Sequence, residues 1–200
     1  FDKAIKCYEK ALAIKTDYAE ASFNLGNIFQ ELKYFDKAFK QYQKTLDIRS
    51  DYAEAHNNLG VTFIELDQID ASIKCFQKAL FFDQDYSEAG YNLGNSFQAL
   101  GEFDKALIQY EKVLVIKPNY AEAHNNLGIT LKEMGRLIDA VRSYKKAINI
   151  NPDYAEAQNN LGNALKSLGR LDEAVKCYDK TLSIRPDYAE AYNNLGITLM

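Results

Sequence analysis

Asparagine stands at Asn24, Asn58, Asn92, Asn126, Asn160 and Asn194, one every 34 residues and each directly ahead of a Leu-Gly pair. A primary amide offers two donors and one carbonyl acceptor and does no acid–base work. What it does well is to match the N–H and C=O of another backbone or of a second amide. Asn27, Asn95 and Asn163 stand three residues further on in alternate copies, where Val61, Ile129 and Ile197 take the other turns. Asparagine is a poor interior helix former, so its return in every copy calls for a reason.

The remaining reactive side chains point away from catalysis. His56 and His124 are equivalent residues two copies apart, and the same place is held elsewhere by Ser22, Gly90, Gln158 and Tyr192. Packed helices lie roughly 8–10 Å apart, so the two imidazoles stand too far apart to share a metal and are read as packing residues. Cys7, Cys75 and Cys177 also share one repeat position, which Gln41, Gln109 and Ser143 fill in other copies. That exchange with polar groups predicts a half-exposed thiol. Three cysteines two or more copies apart form neither a disulfide framework nor a zinc spacing. No phosphate-cradling glycine loop, His-Glu-x-x-His, Gly-x-Ser-x-Gly or Cys-x-x-Cys is present. No catalytic residue, cofactor or metal site is expected.

The elements that must hold these residues follow from the period. A block reading roughly Asp-Tyr-Ala-Glu-Ala opens at Asp17, Asp51, Asp85, Asn119, Asp153 and Asp187, without one insertion between copies. A strict period of this size means like units stacked in a row. Within one copy, Asn119 and Glu122 have the spacing of a capping box, and Ala123, Leu127, Leu131 and Met134 form the apolar stripe of a helix that Gly135 ends. Leu137, Ala140, Val141, Tyr144, Ala147 and Ile148 form the stripe of a second helix, stopped at Pro152. Small residues at Gly128 and Ala140 are expected to let the two backbones approach. Neither helix can bury its stripe alone, so hairpins must stack. Pairs such as Asp36 with Lys40 and Asp70 with Lys74 have the spacing that supports an exposed helix face.

Bulk properties narrow the partners. Lys and Arg total 24 against 28 Asp and Glu, a net charge of −4, which argues against nucleic acid, since phosphate binding needs a basic footprint. No apolar run reaches the 18 or so residues of a membrane span, and the opening residues do not read as a signal peptide. A reducing, cytoplasmic setting is the expectation.

The Leu-Gly pair, Phe97 three residues after Gly94, then Ala106, Tyr110 and Pro118 at the junction resemble the tetratricopeptide repeat along the whole chain. The resemblance implies an all-α, right-handed solenoid superhelix of antiparallel hairpins. It implies residues 1–200 as one solenoid: a second-helix half repeat at 1–16, full repeats at 17–50, 51–84, 85–118, 119–152 and 153–186, and a first-helix half repeat at 187–200. The departures are Ser72 for a small Ala, Val113 and Thr45 for another small residue, Thr16, Ser50 and Gln84 for Pro, and Lys33 and Asp67 for the turn Gly. The first half is thus the less regular, and it is expected to be the more mobile. Residues 19 to 32 match 87 to 100, and 53 to 66 match 121 to 134, so a 68-residue rhythm sits on top of the shorter one.

Helical phase puts the asparagines on the side away from Leu25 and Phe29. In the related solenoids that side lines a concave groove, so the resemblance implies a non-catalytic scaffold holding a protein or an extended peptide on Asn24, Asn58, Asn92, Asn126, Asn160, Asn194, Asn27, Asn95 and Asn163. The same amides have a second reading, in which they bond to the neighbouring copy and set the stacking. Family clamps for acidic chaperone tails use Lys and Arg on the inner helices. Glu88, Glu122 and Glu156 stand here instead and would repel such a tail. The run Asn159-Asn160-Leu161-Gly162-Asn163 also resembles the asparagine-ladder repeats ahead of the catalytic region in O-linked N-acetylglucosamine transferase. That implies an alternative, the recognition arm of a glycosyltransferase or sulfotransferase. An array without an evolved ligand is a third. Phe1 and Met200 fall at nearly the same point of the period, four residues short of six full copies. The apolar stripes at both ends lead to the expectation of a longer parent array or of head-to-tail stacking of copies.

Overall fold

The computed structural model describes residues 1–200, which form twelve α-helices and no strand. They are α1 (Asp2–Ile14), α2 (Ala19–Glu31), α3 (Phe35–Ile48), α4 (Ala53–Glu65), α5 (Ile69–Phe82), α6 (Ser87–Ala99), α7 (Phe103–Ile116), α8 (Ala121–Glu133), α9 (Leu137–Ile150), α10 (Ala155–Ser167), α11 (Leu171–Ile184) and α12 (Ala189–Leu199). Contacts divide the chain into two compact units, Phe1–Ser96 and Phe97–Met200. Within each unit, helix hairpins stack on their sequence neighbours, which is the construction of an α-solenoid. No helix is long and apolar enough to cross a membrane.

One contact explains most of the hairpin. A fully buried ring projects from five second helices: Tyr42 on α3, Phe76 on α5, Tyr110 on α7, Tyr144 on α9 and Tyr178 on α11. Tyr42, Phe76, Tyr144 and Tyr178 each lie against the Leu-Gly glycine of the preceding helix. A methyl group on Gly60 would sit 2.5 Å from Phe76 Cε1, and one on Gly128 would sit 2.5 Å from Tyr144 Cε1. The glycine therefore makes room for a ring and not, as expected from Gly128 and Ala140, for a second backbone. Ala38, Ala106, Ala140 and Ala174 are fully buried at the small position of the second helix, and Ser72 takes that place in α5. The Ser72 hydroxyl is satisfied there, donating to the Ile69 carbonyl at 2.7 Å.

The ends of the helices correct one expectation and sharpen another. The capping boxes do not form. In α2, α4, α8, α10 and α12 the N-cap residue is the tyrosine of the Asp-Tyr block, without a side-chain cap bond. The Asp one step earlier, or Asn119 before α8, stays in the turn, where backbone bonds such as Tyr154 N–H to Asn151 O at 3.1 Å close the corner. The first-turn glutamates are free to reach the far end of their own hairpin, and Glu20 meets Arg49 at 3.2 Å. The hairpin turn demands a left-handed residue, supplied by Gly101, Gly135 and Gly169 at φ of 72° to 75°. Lys33 and Asp67 are forced into the same region at 59° and 57°.

One further expectation changes in part and another holds. Cys75 and Cys177 are buried and Cys7 is exposed; the shared position is also buried at Ser143 and half-buried at Gln41 and Gln109. Burial pushes both buried thiols up to about 11. On the second helices, Asp36 and Lys40, like Asp70 and Lys74, stay exposed. The ion pairs on this face run three residues apart instead, from Arg136 to Asp139 and from Arg170 to Glu173.

Candidate functional site

The first helices position the asparagines. Leu25, Leu59, Leu127 and Leu161 are buried in the hairpin core. The residue before each leucine is turned about 100° around the helix from it. Asn24, Asn58, Asn92, Asn126 and Asn160 are accordingly half-buried, and Asn194 is buried.

In the first unit the amides form a chain. Asn92 donates to Asn57 Oδ1 at 3.0 Å, Asn57 donates to Asn58 Oδ1 at 3.2 Å, and Asn58 donates to Asn27 Oδ1 at 2.9 Å. The Tyr42 hydroxyl lies 2.8 Å from Asn27 Oδ1 and 2.7 Å from Gln30 Oε1. One run of polar contacts thus links α6, α4, α2 and α3. Asn24 has no neighbouring amide of this kind. A cleft of about 440 Å³ opens beside the chain, with Asn27, Gln30, Tyr42 and Asn58 in its wall and Glu31 and Glu65 at its edge.

The second unit repeats the motif. Asn160 donates to Asn125 Oδ1 at 3.1 Å and Asn125 to Asn126 Oδ1 at 3.2 Å. Asn194 donates to Asn159 Oδ1 at 3.4 Å, and Asn159 donates to Glu190 Oε1 at 3.1 Å. Asn163 Oδ1 accepts from the Tyr178 hydroxyl at 2.9 Å. Asn95 holds the corresponding place on α6, half-buried.

Asn57 and Asn125 were not singled out from the sequence, and Asn159 entered only through the run that resembles the asparagine-ladder repeats, yet all three are nearly closed to solvent and serve as the acceptors between repeats. The signal was the doubled asparagine at 57–58, 125–126, 159–160 and 193–194. Asn27 and Asn163 also gain a structural partner, since each accepts from a buried phenol. The ladder residues keep spare capacity. Asn92 and Asn160 each commit one N–H to the neighbouring repeat, which leaves the second N–H and the carbonyl oxygen of a half-buried amide.

The histidines are packed, as read from the sequence. His56 and His124 are buried, and each turns Nε2 to a backbone carbonyl, Ser50 O and Pro118 O, at 2.9 Å. Burial lowers both below the ordinary histidine value. No group of three or more His, Cys, Asp or Glu is placed to hold a metal ion.

Comparison with known proteins agrees with this construction. Residues 1–33, 94–135, 131–169 and 162–200 match a family described as TPR repeat, and residues 19–52 and 53–86 match families described as tetratricopeptide repeat. Among curated proteins no sequence matches. Among solved structures, YrrB, described as a TPR protein with an unusual peptide-binding site, superposes with a TM-score of 0.78 at 23% identity, covering 93% of this chain and 96% of its own. MamA superposes with a TM-score of 0.76 at 28% identity over 83% and 97%. A chain of the APC/C hetero-tetramer Cut9-Hcn1 gives 0.82 at 14% identity, covering all of this chain and 39% of its own.

Proposed function

We propose, from the premise that this chain belongs to the tetratricopeptide repeat family, that it is a non-catalytic scaffold whose first-helix face binds an extended peptide. The observation that carries this reading is the fixed orientation of the ladder amides. Asn92 and Asn160 are each held by one bond to the neighbouring repeat, so the remaining N–H and carbonyl are presented in a set direction at little further entropic cost. A row of such groups pairs with the N–H and C=O of a peptide in extended conformation while asking little of its side chains. Asn58 and Asn92 carry the row in the first unit, with the unbridged Asn24 extending it, and Asn126 and Asn160 carry it in the second, with the buried Asn194 at its end. The peptide-binding description of YrrB supports the same use of this fold.

Selection of displayed peptides on the chain supplies the ligands for a test. Because the bonds run to the peptide backbone, N-methylation at alternate residues should abolish binding, whereas single alanine substitutions in the peptide should have little effect. Asn24→Ala with Asn92→Ala should weaken binding by about 1–3 kcal/mol, the cost of two lost hydrogen bonds. Ligands indifferent to both backbone methylation and the asparagine changes would overturn the reading.

A further inference from the structure

The corner between one hairpin and the next holds a cation over its tyrosine in four of six copies. Arg49 caps α3, and its guanidinium carbon stands 3.8 Å from the centre of the Tyr52 ring. The same guanidinium meets Glu20 at 3.2 Å and Asp51 at 3.6 Å. Arg185 repeats this at the end of α11, 3.8 Å from the Tyr188 ring centre and 3.8 Å from Glu156. Lys15 and Lys117 stand over Tyr18 and Tyr120 at 5.1 Å and 4.3 Å. Arginine suits such a corner because its plane stacks on an aromatic face while its N–H groups reach carboxylates.

At Asp83 the sign is reversed. α5 ends there with φ −135° and ψ 98°, against −135° and 87° at Arg49, so the side chain differs and the backbone does not. Tyr86, Glu54 and Asp85 hold the places of Tyr52, Glu20 and Asp51, but the chain supplies no cation to them. The charges that act on the Tyr86 phenol are Glu88, Glu54 and Asp83, whereas Arg49 acts at Tyr52 and Arg185 at Tyr188. Burial first, and these carboxylates next, push the Tyr86 phenol up to about 12, against the Asn57 side chain, which lowers it. Glu54 and Glu88 are exposed and make no ion pair. Asp83 has a local task, since its Oδ1 accepts from the Asp85 N–H at 3.1 Å. Asn151 performs that task for Asp153 at 3.2 Å without a charge, so the turn does not require a carboxylate.

The corner adjoins the amide ladder. Asn58 and Asn92 stand four residues beyond Glu54 and Glu88, on the same faces of α4 and α6. Asn57, which accepts from Asn92, also stands beside the Tyr86 hydroxyl. A peptide backbone seated on Asn58 and Asn92 passes about 5.4 Å, one helical turn, from the two glutamates, a distance that an arginine side chain spans. We infer that the Tyr86 corner docks an arginine side chain of the bound peptide, its guanidinium stacked on Tyr86 and paired with Glu54, as Arg49 is with Tyr52 and Glu20. The inference rests on the peptide reading above for the chain that delivers the arginine. The template for the contact comes from the protein itself, which makes it twice with its own arginines.

The probe is acetyl-Ala-Ala-Arg-Ala-Ala-amide, titrated into the isotopically labelled intact chain and followed by NMR. The backbone amide resonances of Glu54, Tyr86 and Glu88 should shift saturably. A twin peptide with citrulline, which keeps the shape and loses the charge, should bind about tenfold more weakly or worse. Asp83→Arg, its fold checked by circular dichroism, gives the corner the guanidinium that Arg49 gives Tyr52 and should erase the preference for arginine. Glu54→Gln should reduce that preference, and Glu173→Gln, an equal loss of charge on α11, should leave it unchanged. Equal binding of the twins to the unaltered chain, or no saturable shift at millimolar peptide, would overturn the inference without reliance on any variant. A preference that survives in Asp83→Arg would overturn it too. N-methylation at alternate alanines separates the corner from the ladder. Arginine preference kept in the methylated peptides overturns the ladder reading and leaves the corner, whereas twins bound alike and both lost on methylation overturn the corner and leave the ladder.

Discussion

At the scale of single residues, two glycine classes have opposite roles. Gly60 exists to admit a ring. Gly60→Ala puts a methyl 2.5 Å from Phe76 Cε1, and since that ring is buried it has nowhere to swing, so a loss of about 1–3 kcal/mol is expected in urea unfolding. The turn residues reverse the logic. Lys33 and Asp67 sit at positive φ, which costs a side-chain-bearing residue roughly 1–2 kcal/mol. Lys33→Gly and Asp67→Gly should each gain about 0.5–1 kcal/mol after the added entropy of the unfolded glycine is subtracted. A loss in either case would show that the exposed side chain contributes more than its backbone strain.

At the scale of helices, register between repeats depends on which acceptor the ladder amide finds. Where Asn57, Asn125 and Asn159 stand, the next repeat's asparagine donates to them. Where Phe23 takes that position, Asn58 turns to Asn27 instead. Phe23 stacks on Tyr52 at 4.8 Å, so an aromatic contact replaces the polar one. Asn57→Ala strips Asn92 of its acceptor and Asn58 of its donor, and should cost about 1–3 kcal/mol. Val61 occupies the position of Asn27 in that copy, so adding Val61→Asn should recover part of the loss. A double-mutant cycle measures the coupling, which should exceed about 0.5 kcal/mol. Strict additivity would mean that the two positions are not alternative acceptors.

At the scale of the whole molecule, acid should act through the two buried histidines. Their folded values are lowered from 6.5, first by burial and then by Lys78 or Lys146, with the backbone carbonyl opposing. In the unfolded chain each takes a proton near 6.5, whereas in the folded chain each takes it only at lower pH. Unfolding therefore binds protons across that window, and the stability present above 6.5 is lost as pH falls below it. The melting temperature should drop from pH 7 towards pH 5, and His56→Gln with His124→Gln should flatten that slope. An unchanged slope would place the acid sensitivity in the carboxylates.

The sequence alone determined the repeat, the helix pairing and the family, because a 34-residue period with apolar stripes at helical spacing admits few other solutions. Leu127, Gly128, Ala140 and Tyr144 were legible as core from type and spacing. Only tertiary structure decided what each polar group does, since an amide, thiol or imidazole takes its role from whichever neighbour packing brings to it. Gly128 met a ring, the Asp-Tyr block formed a turn with tyrosine at the cap, and Cys75 went into the core. Asn57, Asn125 and Asn159 became inter-repeat acceptors because their partners lie 35 residues on along the chain, a separation that only the stacking of first helices closes to hydrogen-bond distance.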